Sequence, residues 1–564
     1  MISLTAPASL SMLDLTFAST PLALPFLATL AIVVPAVLAA SLRSRARETL
    51  LLAVFAATLA AVLFARSVFA FMLAWELMAL VSAMLVGAHF ERRYVRRALL
   101  SYAIVSQIGA LCILAALALL GAHAGAFTFD AIARAAPSVP APLRVTIALL
   151  ALVGFGSKAG LVPMHFWLPS AHPAAPATAS ALLSGVMLAV AVYGLALVGL
   201  TLAQPLPAWF GIALALVGGL GGAIGALYAS LQSDIKRILA YSSIENTGIA
   251  IGALGLAFAA QAFGLTSIAA LAMLALFFHV IAHGAFKSLL FLGAGSIVRA
   301  AGTSDLEHLG GLMRTLRFSA PFVLVGCAAA AALPVTCGFA AEWLIVRGFV
   351  HALTSGTPAL AVAAAVTIAA LALASGLAFA TFAKFFGIGM LGQRRSDHVA
   401  QPERFDHVTV ALAWLSAIVV LIGIAPELVM QQLGAAVQAV TGVQADLGTL
   451  PHVARIAALA PVLGLLATAW VARSRSIAHQ PTWTCGSPVT RRSQYTATAF
   501  SQPIARIFAV AMPSAREPAI AFARSVAAFA QRTARRTRVV QGGRLRVYLA
   551  YAVLGALVVF WLAR

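Results

Sequence analysis

The sequence predicts an all-α integral membrane protein, on the basis of its composition and the length of its apolar runs. Of the 564 residues, 62% are hydrophobic and 9% are charged, and the mean hydropathy is +0.99. A soluble protein carries roughly 25% charged residues. Apolar runs of about 20 residues recur along the chain, and each can cross a ~30 Å hydrocarbon core as a helix. Helices are expected because lipid cannot hydrogen-bond to exposed backbone groups.

These runs predict about 14 transmembrane helices. The first run is long enough to remain as a helix, so no cleavable signal peptide is expected. The predicted crossings are 21–41, 48–65, 67–87, 98–120, 145–162, 176–200, 209–231, 239–260, 265–298, 318–350, 358–390, 406–430, 452–472 and 546–563.

Basic residues are concentrated in alternate loops. These loops hold 28 of the 37 lysines and arginines, and the opposite loops hold almost none. The positive-inside rule places them on the cytoplasmic side of a bacterial-type inner membrane, with both termini outside. The net charge of +21 therefore reflects topology, and nucleic-acid binding is not expected. The basic loops are 43–47, 92–97, 236–237, 299–317, 394–404 and 473–546.

Two of the predicted crossings are interrupted by proline. Residues 318–350 contain AALPVTCGFAAEW, with Pro334 and Gly338, and residues 145–175 end in GSKAGLVPMHFWLP. Broken helices in transporters line cavities or ion paths. Proline kinks without a function are also common in membrane helices, so the pattern alone leaves both interpretations open.

Lysine is rare in this chain, which has four lysines and 33 arginines. The arginines lie mostly in loops, whereas Lys158, Lys287 and Lys384 lie within predicted crossings. A buried lysine can release its proton near neutral pH, while arginine stays charged. Glu76 and Glu342 are likewise each alone in an apolar run. Because an ionisable group in the membrane costs at least a few kcal/mol, these residues predict an ion path, with fixed ion pairs as the structural alternative.

The run FFHVIAHGAFKSLLFLGAG carries His279, His283 and Lys287 at four-residue spacing. On a helix these residues share one face, displaced by only ~40° per step over about 12 Å. This stack predicts a proton wire, and a packing role is the alternative. A haem site would need a second histidine at the same depth. His165 and His172 lie near a predicted helix end, which argues against haem.

The cysteines and glycines indicate no cofactor. Cys112, Cys327, Cys337 and Cys485 are far apart and form no CxxC pair, which argues against a disulfide framework and a metal cluster. The chain has no glycine-rich nucleotide motif. We therefore expect no metal and no cofactor in this chain.

Four motifs occur in order along the sequence: GFGSKAGLVPMHFWLPSAHPAAPATASALLSGVM, SDIKRILAYSSIENTGI, HVIAHGAFKSLLFLGAGSI and ALPVTCGFAAEWLI. Together they resemble the antiporter-like, proton-translocating subunits of respiratory complex I and its relatives, over residues 48–390. Within that superfamily, SSIENTGI and the later WTCGSPVTRRSQYTATAFSQPIARIF are most similar to hydrogenase-4 component B of formate hydrogenlyase-type complexes.

The resemblance implies roles for individual residues. Glu76 would be the glutamate of the first half-channel, and Lys158 would be its partner lysine on the broken helix. Lys287 would join the two half-channels, with the two histidines of its run on the input side, and Glu342 would end the path. Accessory roles are considered for Lys236, Asp234, Glu245 and Lys384.

The resemblance also implies a fold of two inverted repeats of five helices with broken helices. The basic segment after the core is expected to be either an amphipathic helix on the membrane surface or a disordered linker. The expected regions are an N-terminal helix region (1–47), a first repeat (48–200), a second repeat (201–390), peripheral helices (391–472), the basic segment (473–545) and a C-terminal anchor (546–564).

Two features depart from the pattern of the family. Ala189, in SGVMLAVAVYG, stands where many relatives carry a further lysine. The first link between Lys158 and Lys287 therefore lacks its usual residue. Only two hydrophobic segments precede the Glu76 helix, where the family pattern implies about two more.

The predicted function is proton translocation by a membrane subunit of a hydrogenase-4, formate hydrogenlyase-like or complex I-like respiratory complex. Electron transfer in partner subunits would drive it, and this chain would carry no redox centre. The expected partners are other membrane subunits, a peripheral NiFe-hydrogenase or dehydrogenase arm, and lipid. The alternatives are a multi-subunit Na⁺/H⁺ antiporter, a membrane subunit for inorganic-carbon uptake and a scaffold that has lost transport.

Overall fold

The structure, a computed structural model, describes residues 2–4, 14–395, 403–446, 448, 450–474, 485–488, 490 and 493–509. Helices dominate this part of the chain, which confirms the predicted all-α class. The one sheet in the described residues is a short antiparallel pair, β1 (Ile2–Leu4) and β2 (Leu15–Phe17).

The α-helices of the described residues follow one another with short connections. They are α1 (Leu24–Ser41), α2 (Ala46–Phe64), α3 (Val68–Val86), α4 (Arg93–Ala124), α5 (Phe129–Ala135), α6 (Ala141–Ala159), α7 (Leu168–Ala174), α8 (Ala177–Leu182), α9 (Leu188–Leu197), α10 (Ala208–Leu231), α11 (Ile235–Ala262), α12 (Thr266–Ala301), α13 (Ser319–Ala330), α14 (Cys337–Leu353), α15 (Pro358–Met390), α16 (His407–Ile424), α17 (Glu427–Thr441), α18 (Leu450–Ser474) and α19 (Ala497–Ala509).

Eleven helical stretches of the described residues are long and apolar enough to cross a membrane. They coincide with eleven of the first twelve predicted crossings. The exception is the tenth, 318–350, which consists of the two shorter helices α13 and α14. The crossing predicted at 452–472 is helical within α18. The crossing predicted at 546–563 lies outside the described residues, as does the part of the basic segment from 510 to 545. The predicted total of 14 is therefore not established.

The crossing predicted over 406–430 is present but ends earlier than predicted. Helix α16 ends at Ile424, and α17 begins at Glu427. Pro426 lies between them, and the residue before a proline is driven out of the helical conformation. Ala425 accordingly leaves the helical conformation, with φ of −125° and ψ of 64°.

The first predicted helix break lies between α6 and α7. Helix α6 is capped at its C-terminal end by Gly160, whose φ of +78° is left-handed and therefore suits glycine. Pro163 follows, and a 3₁₀ turn over Met164–Trp167 leads into α7. The short helix α7 then ends in a kink at Ala175–Pro176, so the crossing is made of two unequal halves.

The second predicted break lies between α13 and α14. Val335 has a φ of +77°, a strained conformation for a β-branched residue. Gly423 of α16 packs against this turn, since an added Cβ atom would lie 2.4 Å from the Val335 carbonyl oxygen. The surrounding helices therefore hold this interruption in place, as expected for strain retained at a functional position.

A central group of helices is shielded from lipid. The apolar stretches of Ala177–Leu202 and Ile235–Ala262 are fully buried, and that of Thr266–Ala301 is 94% buried. Helices α10 and α11 pack backbone to backbone: a Cβ atom added at Gly225 would lie 2.5 Å from the Glu245 nitrogen. Small residues permit such close approach in membranes. Polar groups on these helices are consequently surrounded by protein.

The continuous stretch from Ala177 to Leu202 contains two π-helical turns, Leu183–Met187 and Val198–Leu202. Such turns are rare, and they are frequent at functional sites. The sequence pattern gave no indication of them.

One face of the helix bundle collects the basic loops, and we call it the basic face. The Arg43 guanidinium pairs there with Asp406, and Ser304 donates to the Asp234 carboxylate. Helix α19, within the segment expected to be basic and peripheral, packs against this face. Its Ser501 hydroxyl donates to the Ser230 carbonyl at the end of α10 (2.7 Å).

Candidate functional site

Lys158 occupies a buried polar site next to the first helix break. It lies at the end of α6 and is 2% exposed. Its Nζ donates to the Tyr102 hydroxyl (2.6 Å) and to the Ser106 hydroxyl (3.1 Å), both on α4. The Tyr102 hydroxyl also contacts the Ser82 hydroxyl of α3 at 2.5 Å. We call Lys158, Tyr102, Ser106 and Ser82 the first cluster.

Glu76 lies beside the first cluster without an ion pair to it. Its Oε2 accepts a hydrogen bond from Gln107 Nε2 (3.2 Å), and Gln107 is the neighbour of Ser106 on α4. Among the ion pairs found in the described residues, none joins Glu76 to Lys158. Glu76 and Lys158 thus each contact α4, through Gln107 and through Tyr102 and Ser106 respectively, rather than each other.

Lys287 lies at the centre of the molecule and is fully buried. Its Nζ donates to the Leu239 carbonyl of α11 at 3.4 Å, a long and weak hydrogen bond. The rings of Phe286 and Phe382 lie 5.9 and 5.8 Å from the same nitrogen. An ammonium group held this loosely in protein is suited to gaining and losing a proton, since no fixed ion pair locks its charge.

The two histidines of the same helix stack as the four-residue spacing predicts. The rings of His279 and His283 are 6.1 Å apart and inclined by 15°. The His279 Nε2 lies 3.1 Å from the Asn246 carbonyl oxygen. His279 Nδ1 and His283 Nε2 have no hydrogen-bond partner in the described structure. Each ring therefore keeps a nitrogen for a water molecule or a proton.

Glu245, which the sequence analysis treats only as an accessory candidate, is buried near the central lysine. Its carboxylate is 1% exposed and accepts a hydrogen bond from the Ser242 hydroxyl (3.1 Å). It lies within electrostatic range of both Lys287 and Glu342. Glu245 is thus a buried carboxylate near both a lysine and a second carboxylate. The only signal in the sequence was an isolated acid in the SSIENTGI motif.

Glu342 lies just after the second helix break, at the start of α14. Its Oε2 accepts a hydrogen bond from the Ser375 hydroxyl of α15 at 2.6 Å. The residue is half-buried, whereas Glu245 and Lys287 are buried. Glu342 therefore lies where the buried series of titratable groups approaches the outside of the helix bundle.

The comparisons with known proteins agree with this arrangement. The family described as NADH:quinone oxidoreductase/Mrp antiporter, transmembrane, matches residues 65–371. The chain belongs to this family. Its match covers both broken helices and the titratable residues of this site from Glu76 to Glu342.

Individual relatives cover the chain to different extents. An uncharacterized protein of Mycobacterium tuberculosis is 36% identical over 557 residues, covering 90% of this chain and 86% of that protein. Hydrogenase-4 component B of Escherichia coli is 36% identical over 374 residues, covering 66% of this chain and 55% of that protein. A chain of the membrane-bound sulfane sulfur reductase, an archaeal respiratory membrane complex, shares the fold with a TM-score of 0.79 at 24% identity, covering 99% of this chain and 91% of that chain.

Hydroxyl groups lie near Ala189, the position where many relatives carry a further lysine. Ala189 is buried, and the preceding turn carries Ser184, whose hydroxyl lies 2.7 Å from that of Ser243 on α11. The Ser243 hydroxyl donates to the Leu239 carbonyl (2.8 Å), which also accepts from Lys287. Polar groups therefore extend from the turn beside α9 to the central lysine.

A close helix contact fixes this turn against α12. A Cβ atom added at Gly185 would lie 2.4 Å from the Ser288 hydroxyl oxygen and 3.0 Å from the Gly284 carbonyl oxygen. The Ser288 hydroxyl in turn donates to the Ala181 carbonyl (3.2 Å). The absence of a side chain at Gly185 thus lets the π-helical turn touch the helix that carries Lys287.

Two of the accessory candidates make the contacts of structural residues. Asp234 caps the start of α11 by accepting from the Arg237 backbone nitrogen (2.9 Å). The Lys384 Nζ donates to the carbonyls of Ser230 and Gln232, both at 2.7 Å, and to the Ser501 hydroxyl at 3.0 Å. All three of its hydrogens are engaged, so Lys384 joins α10, α15 and α19.

Lys236, the remaining accessory candidate, is oriented towards the first broken helix. Its Nζ donates to the Ala175 carbonyl, directly after α7, at 2.8 Å. It lies at the inner end of a cavity on the basic face.

Proposed function

We propose that this chain is the proton-translocating membrane subunit of a hydrogenase-4-like or complex I-like respiratory complex. The observation that carries the proposal is the buried series formed by the first cluster, Lys287, Glu245 and Glu342, located at two broken helices. Membership of the antiporter family and the likeness to hydrogenase-4 component B support it. Partner subunits, including a peripheral hydrogenase or dehydrogenase arm, would supply the electron transfer.

The buried charges suggest how such a subunit would work. A nearby carboxylate stabilises the charged form of a buried lysine, and its withdrawal favours proton release. A conformational change in a neighbouring subunit that shifts α3 or α4 would alter the surroundings of Lys158 through Gln107 and Tyr102. The proton would then pass by Ser184 and Ser243 to Lys287. From there Glu245 would relay it to Glu342.

We place the basic face on the cytoplasmic side of the plasma membrane, in keeping with the positive-inside rule. Protons would enter from that face and leave on the opposite side near Glu342. This direction conserves the energy of electron transfer as a proton gradient.

The proposal is tested on the complex purified through a tag on this chain. We expect hydrogenase or dehydrogenase subunits to co-purify, as identified by mass spectrometry. In sealed vesicles, the electron donor should acidify the lumen when the basic face is outside, in sodium-free buffer. Sodium-dependent transport by vesicles that lack any redox partner would instead assign the Na⁺/H⁺ antiporter alternative.

We expect Glu245→Gln to lower proton pumping at least about tenfold, because the amide has no acidic proton to relay between Lys287 and Glu342. Pumping per electron transferred is measured in vesicles with a pH-sensitive dye. Glu91→Gln, at an exposed loop position, serves as the matched control and should leave pumping unchanged. Normal pumping by Glu245→Gln would remove Glu245 from the path.

A further inference from the structure

A polar cavity opens on the basic face next to the first broken helix. It has a volume of about 310 Å³ and is lined in part by Arg43, Glu48, Thr178, Lys236 and Arg299. A water molecule occupies about 30 Å³ in the liquid, so the cavity can hold several. Its polar lining provides hydrogen-bond partners for them.

Pro176 and Thr178, which follow helix α7 directly, line the cavity together with Leu292 of α12. Lys236 reaches the Ala175 carbonyl there, and the Thr178 hydroxyl donates to Glu48 Oε1 at 2.8 Å. His172 lies less than one turn before Ala175 on the same helix. The cavity therefore ends close to a buried imidazole.

His172 is buried without any hydrogen-bond partner for its ring. It is 1% exposed, and neither ring nitrogen is bonded within the described structure. Its ring stacks on Phe291 of α12, with a centroid distance of 4.7 Å. Phe291 lies one turn after Lys287 on α12, and Lys236 donates to the carbonyl of Ala175, three residues after His172. Buried polar atoms are almost always satisfied, so two free nitrogens on one ring indicate a place for water or a transferred proton.

We propose that this cavity is the proton inlet of the basic face, and that His172 passes protons from it to Lys287. This inference rests on the proposed function and specifies its uptake step. Water in the cavity gives a proton to one ring nitrogen, and the other nitrogen releases its own proton towards neutral Lys287. The neutral ring then carries its proton on the nitrogen that faced the cavity, and it returns to its starting tautomer before the next cycle. Each cycle takes one proton from the cavity and adds one to Lys287.

This inlet needs no side chain at position 189. It reaches Lys287 from the basic face through α7, whereas the missing lysine would have linked Lys287 to the first cluster. The two routes are independent, so Lys287 can be loaded even where the lateral link is weak.

The charges of the cavity favour protons over sodium ions. Three of the lining residues, Arg43, Lys236 and Arg299, are cationic, and Glu48 is the one lining acid. A cationic lining repels metal cations, while a proton can move along hydrogen-bonded water and the imidazole without a bare ion entering.

The first test uses His172→Phe in the complete complex. Phenylalanine keeps an aromatic ring against Phe291 but removes both nitrogens. We expect pumping to fall at least about tenfold, with the complex still assembled. His123→Phe is the matched control, because His123 is an exposed histidine in the last turn of α4. Normal pumping by His172→Phe would overturn the inlet.

Lys287→Met, measured beside it, separates the two proposals. If Lys287→Met is inactive and His172→Phe is normal, the inlet is wrong and the proposed function stands. If both pump normally, the proposed function fails as well.

A second measurement covers the case in which His172→Phe fails to assemble. Val298, which lines the cavity, is changed to cysteine in a chain carrying Cys485→Ser, and a charged thiol reagent is added to the basic face. We expect labelling and a loss of pumping relative to the same unlabelled variant, with the parent chain unaffected by the reagent. Failure of the cysteine to label, or full pumping after labelling, would contradict a water-accessible inlet.

Discussion

Lys287→Met is expected to reduce proton pumping to background while the complex still assembles. Methionine is similar in length to lysine and carries no titratable proton, and among the described residues it removes one hydrogen bond, the long one to Leu239. The helix therefore loses a titratable group and little packing. Pumping is measured in vesicles per electron transferred, and assembly by the recovery of partner subunits with a tagged chain.

Lys384→Met is the matched control, because it changes the same residue type at a buried position. Its side chain holds three acceptors at the ends of α10 and on α19. Its loss should therefore lower the amount of assembled complex without lowering the pumping of each complex that forms. A Lys384 variant that assembles normally but does not pump would place Lys384 on the proton path. A Lys287 variant that pumps would remove Lys287 from it.

Lys158→Met is expected to reduce pumping to a small residual rate, against which its partners can be identified by double-mutant cycles. Tyr102→Phe removes the hydroxyl that lies 2.6 Å from the Lys158 Nζ, so we expect a partial loss of about tenfold. Combining it with Lys158→Met should add nothing, because both changes remove the same interaction. Tyr193→Phe is the control, since Tyr193 is buried on α9 and its hydroxyl lies 3.5 Å from the Leu63 carbonyl.

The same cycle with Glu76 distinguishes direct from indirect coupling. In this structure Glu76 contacts Gln107, and Lys158 contacts Tyr102 and Ser106. The interaction energy between Glu76→Gln and Lys158→Met is therefore expected to be smaller than that between Tyr102→Phe and Lys158→Met. A larger Glu76–Lys158 energy would mean that the two residues form a direct pair during turnover.

The sequence alone determined the class of protein and the positions of its helices and breaks. Hydropathy along a run reports directly whether a helix can lie in lipid, and proline interrupts a helix locally whatever surrounds it. The first twelve predicted crossings accordingly correspond to helices, with both predicted breaks present. The error at 406–430 arose because Pro426 lies inside a run whose hydropathy continues past it.

Only the tertiary structure decided which of the charged residues meet. The four-residue spacing predicts that His279 and His283 stack on one helix. It does not predict that Leu239, Ser243 and Glu245 of α11 lie near Lys287. The glycine contacts of α10 with α11, and of the π-helical turn with α12, bring these groups together. Lys384 and Lys287 look alike in the sequence, since each is a lysine in an apolar run. Lys384 donates to three acceptors at a helix end, whereas Lys287 makes one long hydrogen bond at the centre of the molecule. The neighbouring helices cause this difference.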